Sequence, residues 1–247
     1  MPDLADRNTG TRTMTADTAA KFDPLRAAEY ERQSRIALAG YDACHELAAC
    51  MLTAALGPRS SATVLVAGAG GTGNEIVVAG ALEPNWRFVA VDPSQPMLDL
   101  ALARVREAGL LGRTEPVLGV VADLPAEVRF DAATLIGVLH HLPGDEAKQA
   151  ILRDIAQRLK PGAPLVLAGN RYAYASRPLL MAAWGQRWRM NGASEEEVRI
   201  KQGKILQGAD PPQSDEAVAT LLSDAGFEKP EPFFSSLFWG AWMARRA

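Results

Sequence analysis

The chain has 247 residues, 48% of them hydrophobic, and 26 Lys plus Arg against 29 Asp plus Glu give a formal charge of -3. A chain of this length buries a full core without disulfides, and its slightly acidic balance provides no broad basic surface, so a nucleic-acid partner is disfavoured. The start MPDLADRNTGTRT has no apolar signal core and no run of about 18 apolar residues spans a bilayer, which predicts a cytoplasmic protein with no membrane partner.

Residues 1–20 are polar and rich in Thr and Asp, which predicts a mobile tail. Residues 21–58 read as a helical lid segment. From Pro24 to Leu56, Ile36, Leu38, Tyr41, Leu47, Met51 and Leu52 recur near helical spacing, and Gly40 interrupts the run. Cys44 and Cys50 lack metal or redox spacing and are expected to be core thiols in a reducing compartment, with no metal bound.

Residues 59–247 form the main domain. Thr63 to Ala67 is a β-branched, apolar run typical of a buried parallel strand, and it breaks into Gly68, Ala69, Gly70, Gly71 and Gly73 before a helix over Asn74 to Leu82. Glycines permit backbone angles that a Cβ forbids and let a ligand approach the main chain. A second strand, Arg87 to Val91, ends in Asp92, about 20 residues past the glycines, where an acid can accept both hydroxyls of a ribose. A third strand, Val117 to Val121, runs into Ala122-Asp123-Leu124, and a fourth, Asp131 to Leu135, into Gly137-Val138-Leu139-His140-His141.

The series TVLVAGAGGTGNEI, FVAVDPSQPML, GVVADLP, FDAATLIGVLHHLP and LKPGAPLVLA resembles the class I S-adenosylmethionine-dependent methyltransferases over residues 60–170. The resemblance implies an α/β, doubly wound, mostly parallel seven-stranded sheet with a C-terminal antiparallel hairpin. This is the Rossmann-like methyltransferase fold, here with a helical N-terminal segment and a helical insertion at about 171–210 acting as a lid. It also implies S-adenosylmethionine as cofactor and S-adenosylhomocysteine as product. By position, Asp92 with Pro93 would hold the ribose, Asp123 the adenine amino group, Leu124 N–H a ring nitrogen, and Met97 and Leu124 the faces of the ring. Gly68, Ala69, Gly70 and Gly73 would cradle the methionine end, and the chain around Gly137 would close over the cofactor. The family's acid for the methionine amino group is placed at Ala67 and is missing here.

In the insertion, Pro178 to Met190 carries Leu179, Leu180, Met181, Trp184, Trp188 and Met190, and a charged helix follows over Glu195 to Gln207. A further helix, Ala217 to Ala225, precedes two strand-like runs in PFFSSLFWGAWMA that meet at Gly240. The leading FD, the GYD turn, the basic helical insertion, the AGF turn and FFSSLFWG are similar to the carboxy-S-adenosyl-methionine synthase family of tRNA wobble-uridine modification. That resemblance places Tyr41 against the cofactor and suggests a homodimer. The arginine that binds the extra carboxylate in that family falls near Gln202, with Arg199 and Lys201 as stand-ins. A neutral amide forgoes a charge-assisted pair worth roughly 2 to 3 kcal/mol, which favours plain S-adenosylmethionine and methyl transfer to a small-molecule acceptor.

Methyl transfer demands alignment and exclusion of water, and a base only when the acceptor carries a proton. His140 is the candidate base, and His141, Asn170, Arg171, Tyr172, Tyr174 and Trp184 are candidates for the acceptor pocket, suited to a small anionic or aromatic acceptor. Two other readings stand beside this one. The synthase reading predicts consumption of prephenate, and a non-catalytic S-adenosylmethionine-binding protein predicts binding without turnover. The basic clusters Arg187-Trp188-Arg189 and Arg245-Arg246 read as solvated helix or chain-end residues.

Overall fold

The computed structural model describes residues 24–247, with side chains from Tyr30 onward. The tail over residues 1–20 and the FD pair at 22–23 lie outside the described residues. Two helices open the described chain, α1 (Pro24–Ala37) and α2 (Tyr41–Leu56), separated at Gly40, whose φ of 83° ends one helix and turns into the next.

Seven strands follow: β1 (Thr63–Ala67), β2 (Arg87–Asp92), β3 (Thr114–Leu118), β4 (Ala132–Ile136), β5 (Pro164–Asn170), β6 (Glu231–Ser236) and β7 (Trp239–Arg245). They form one sheet in the order β3-β2-β1-β4-β5-β7-β6. β1 to β5 pair in parallel, and β7 is antiparallel to both β5 and β6. The helices between them are α3 (Asn74–Leu82), α4 (Gln95–Glu107), α5 (Gly144–Arg158), α6 (Pro178–Met190), α7 (Glu195–Gly208) and α8 (Asp215–Asp224). This is the Rossmann-like methyltransferase fold.

Alternate residues of the central strands serve two faces, as the period of two requires. Leu65, Ala67, Val91, Leu135 and Leu167 pack with Leu152 and Ile155 of α5 and Leu221 and Leu222 of α8. Val64, Val66, Phe88, Ala90 and Val166 pack with Tyr41, Cys44 and Leu52 of α2, Ile76 of α3 and Leu98 of α4. Complete burial of both faces explains why β1, β4 and β5 are continuous apolar runs.

A third cluster is the roof: Ile36, Tyr174, Met181, Trp184, Trp188, Val198 and Phe238. Trp184 Nε1 donates to Ala37 O at 2.7 Å, and Arg187 donates to Ile36 O at 3.2 Å and Arg35 O at 3.0 Å. These side chains satisfy the carbonyls that the last turn of α1 leaves open, so Arg187 acts as a helix cap and ties α1 to the insertion.

Three expectations are corrected. The third strand spans Thr114–Leu118, not Val117–Val121: it is an edge strand, tolerant of Pro116, and the chain leaves it at Gly119 with φ 153°. The last two strands reverse at Leu237-Phe238, and Gly240 lies inside β7. A Cβ at Gly240 would stand 2.0 Å from Arg171 Nη1 and 2.5 Å from Trp242, so that glycine answers a packing need instead of a turn. Cys44 is buried, its thiol pushed up to about 12 by desolvation, whereas Cys50 is exposed because six residues along a helix bring it to the outward side.

Candidate active site

The carboxyl ends of β1, β2 and β4 meet at a cavity of about 320 Å³ covered by the roof. The glycine turn forms one wall. Gly68, Gly71 and Gly73 have φ of 70°, 98° and 56°, and a Cβ on Gly70 would come within 2.6 Å of Asp92 Oδ2 and Met97 Cβ. The turn is clamped to the end of β2. Gly68 and Ala69 N–H donate to Val91 O at 2.8 and 3.1 Å, and Gly71 N–H donates to Met97 O at 2.9 Å.

Asp92 completes the clamp. Its Oδ2 accepts from Gly70 N–H at 2.9 Å and its Oδ1 from Ser94 N–H at 2.8 Å. Burial raises its pKa, and those two N–H groups oppose the rise. Each oxygen keeps a further lone pair for a ligand hydroxyl.

Tyr41 reaches across from α2, with 2.5 Å between its hydroxyl and Thr72 Oγ1. One turn on, His45 Nδ1 lies 2.8 Å from Tyr41 O and must donate to it, since a carbonyl only accepts. On the opposite wall His140 Nδ1 accepts from Asn170 N–H at 3.3 Å. A backbone N–H only donates, so the proton of the neutral ring is on Nε2. Burial, with His141 adding to it, holds the His140 pKa well below the ordinary imidazole value. His140 is therefore a neutral donor at Nε2, and the Nδ1 lone pair that a base would use is engaged by Asn170 N–H.

Of the residues expected at the cofactor, Tyr41, Gly68, Gly70, Asp92, Pro93, Met97 and Gly137 line the cavity, as do His140, His141 and Trp184 from the expected acceptor side. Ala69 is buried beneath the turn, and Gly73 packs on Ala101 and Val105. Asp123 and Leu124 stand apart from the cavity. Asp123 is exposed and its Oδ2 accepts from Val120 N–H at 2.9 Å, closing its own turn. Leu124 is in the core and its N–H is used on Val121 O. The structure does not bring these two positions to the cavity with the others.

Arg171 and Tyr172 also lie outside the cavity. Arg171 is buried, ion-paired with Asp215 at 3.0 Å and donating to Ser235 Oγ at 2.9 Å, while the Tyr172 hydroxyl donates to Asp215. Their side chains brace α8 and the final strands, because the residue after a buried strand end alternates away from the cleft. Ala67 belongs to the face shared with α5 and α8, so an acid at that position would enter the core and not the cavity.

Several wall residues escaped the sequence reading: Tyr30, His45, Thr72, Glu75 and Trp239. His45 was accessible as the residue four past Tyr41 on one helix face, and Glu75 as the acid two past Gly73. Trp239 was not, since only the pairing of Asn170 with Trp239 in the antiparallel ladder brings it there.

Comparison with known proteins agrees with this geometry. Residues 66–165 match the family model for a methyltransferase domain. Among curated proteins none matches the chain. The fold is similar to an O-methyltransferase family 2 protein from Planctomyces limnophilus, solved with apigenin, at 14% identity and TM-score 0.65 over 96% of this chain and 63% of that one. It is similar to an O-methyltransferase from neocarzinostatin biosynthesis, solved with S-adenosylmethionine and 2-hydroxy-5-methyl naphthoic acid (18%, TM-score 0.60, 91% and 59% covered). Human N-acetylserotonin methyltransferase, solved with S-adenosylmethionine, is a third (17%, TM-score 0.55, 83% and 54% covered). The chain spans less than two thirds of the length of each of these structures.

Proposed function

We propose that the protein is an S-adenosylmethionine-dependent methyltransferase acting on a small, uncharged aromatic acceptor. One observation carries the reading: the glycine turn, Asp92 and an aromatic roof line a single cavity. The residues present fit the cofactor. A cradle that a Cβ on Gly70 would fill, and a carboxylate with lone pairs to spare above it, suit an adenosyl ligand. When bound, S-adenosylmethionine supplies an electrophilic methyl group. Asp92 would hold the ribose, and Gly68 and Gly70 would allow the methionine end to approach the backbone.

The acceptor class follows from the other wall. Trp184, Trp188, Trp239, Tyr174 and Ile205 supply apolar area, and among the described residues no Lys or Arg lines the cavity. An anionic acceptor would have no counter-charge there, so the anionic option that rested on Arg171 is dropped. Asn170 Oδ1 is buried with no hydrogen-bond partner among the described residues, and with the His140 Nε2–H it offers one acceptor and one donor for a hydroxyl. The roof excludes water and these two groups orient the acceptor oxygen. The relative solved with apigenin, an aromatic hydroxyl compound, supports this reading. The absence of membrane-crossing helices among the described residues and the two unpaired thiols support a cytoplasmic setting.

The carboxylated-cofactor reading finds no support. Gln202 Nε2 donates to Met181 O at 2.7 Å, Arg199 pairs with Glu196, and Lys201 Nζ donates to Gln33 Oε1. The test is calorimetric titration with S-adenosylmethionine and S-adenosylhomocysteine, followed by mass spectrometry of neutral phenols incubated with protein and cofactor. Binding with a gain of one methyl group is the expected result. Binding with no methylation across phenols, amines and thiols would sink the enzymatic reading in favour of a binding protein.

A further inference from the structure

The cavity wall holds two carboxylates among its described residues, Asp92 and Glu75, and they are differently placed. Both oxygens of Asp92 accept backbone N–H groups. Glu75, in the first turn of α3 and two residues past Gly73, pairs with no Lys or Arg among the described residues. Burial raises its pKa, and only the nearby His45 and its own backbone N–H oppose the rise.

Glu75 is half-buried in the cavity wall, and a carboxylate so placed without a cation gains from a ligand that supplies the charge. The surroundings sharpen that demand. Tyr41, buried, and Tyr30, half-buried, both with pKa values raised, stand near the Glu75 charge, and a low-dielectric wall strengthens any pairing made within it. The position decides which cation. Glu75 follows directly on the turn that carries Gly68, Gly70 and Thr72 and lines the same cavity as Asp92.

Building on the cofactor assignment above, we propose that Glu75 accepts the α-ammonium group of the methionine part of S-adenosylmethionine. It thus does the work of an acid that position 67 could not do even if it carried one, since Ala67 faces the core on the other side of the sheet. An ammonium group carries three donors, and a charge-assisted bond from one of them to Glu75 fixes the methionine end relative to the ribose held at Asp92.

The test compares two thioether ligands by calorimetry, S-adenosylhomocysteine and 5′-methylthioadenosine. The second shares the nucleoside and sulfur but has no ammonium group. E75Q should weaken S-adenosylhomocysteine by about tenfold to a hundredfold and leave 5′-methylthioadenosine within about twofold of wild type. D92N should weaken both. In the wild type, the desamino analogue of S-adenosylhomocysteine should show the same loss, a readout that needs no variant to fold. Unchanged binding of S-adenosylhomocysteine by folded E75Q, or of the desamino analogue by wild type, would overturn the role of Glu75 and leave the cofactor assignment standing. Wild type that bound neither S-adenosylhomocysteine nor 5′-methylthioadenosine would overturn the cofactor assignment itself.

Discussion

Lys148 and Asp210 fasten the His140 turn to the end of the insertion. The Lys148 ammonium is fully buried and lies 2.8 Å from Asp210 Oδ2, which also accepts from Gly144 N–H at 2.7 Å. The Asp210 backbone N–H in turn donates to His140 O at 2.9 Å. One residue thus holds the start of α5, the His140 turn and the chain leaving α7 in fixed relation.

The two halves of this pair should respond unequally to removal. D210A leaves the buried ammonium with only the longer 3.9 Å pair to Asp145 and should cost about 2 to 3 kcal/mol, whereas K148M leaves a half-exposed carboxylate in water and should cost less than about 1.5 kcal/mol. Denaturant unfolding of both variants measures the difference, and equal losses would contradict the asymmetry.

The same pair predicts a pH dependence. The hydrogen bond from Lys148 lowers the Asp210 pKa. A depressed carboxylate pKa contributes stability in full above its unfolded value, about 3.9, and loses it as pH falls through the lower folded value. D210N should therefore be less stable than wild type above about pH 4 and converge on it in stronger acid, as thermal melts across pH 2 to 7 would record.

His140 should remain neutral in the folded protein at pH values where an ordinary imidazole is half charged. Because its folded pKa is depressed, stability declines as pH falls from about 6.5 toward that lower value, and H140N should remove this part of the slope. Nitrogen chemical shifts should report the Nε2–H tautomer. If the ring acts as a donor, H140Q, which keeps an N–H near the same place, should retain about tenfold more turnover than H140A. Equal inactivity of the two would restore a role as base.

Arg171 gives a prediction in the opposite sense from the sequence reading. R171M removes the ion pair with Asp215 and the contact over the Trp242 ring, and should cost about 2 kcal/mol of stability. Affinity for S-adenosylhomocysteine should not change, because Arg171 stands outside the cavity. Thermal denaturation and calorimetry on one preparation check both halves.

What the sequence made legible is what local chemistry controls. The glycines after β1 and the acid ending β2 declare themselves because a sharp strand-to-helix turn and a strand-terminal carboxylate are each determined within a few residues. The buried strands were legible through their unbroken apolar runs. The direction of a side chain just past a strand end was not: Asn170 turns into the cavity and Arg171 out of it, and that alternation depends on a register visible only once β7 is paired. Asp123 is hard to read for a related reason. An acid after a strand suits an adenine amine or a tight turn equally well in sequence, and the structure shows one of its oxygens closing the turn on Val120 N–H.

The bonds from Trp184 and Arg187 to the last carbonyls of α1 bear on how the roof holds together. Since α1 and the insertion share one apolar cluster, the two parts of the roof are joined. A substitution that removes the Trp184 or Arg187 bond should therefore loosen α1 and the insertion together, which hydrogen exchange of both segments would record.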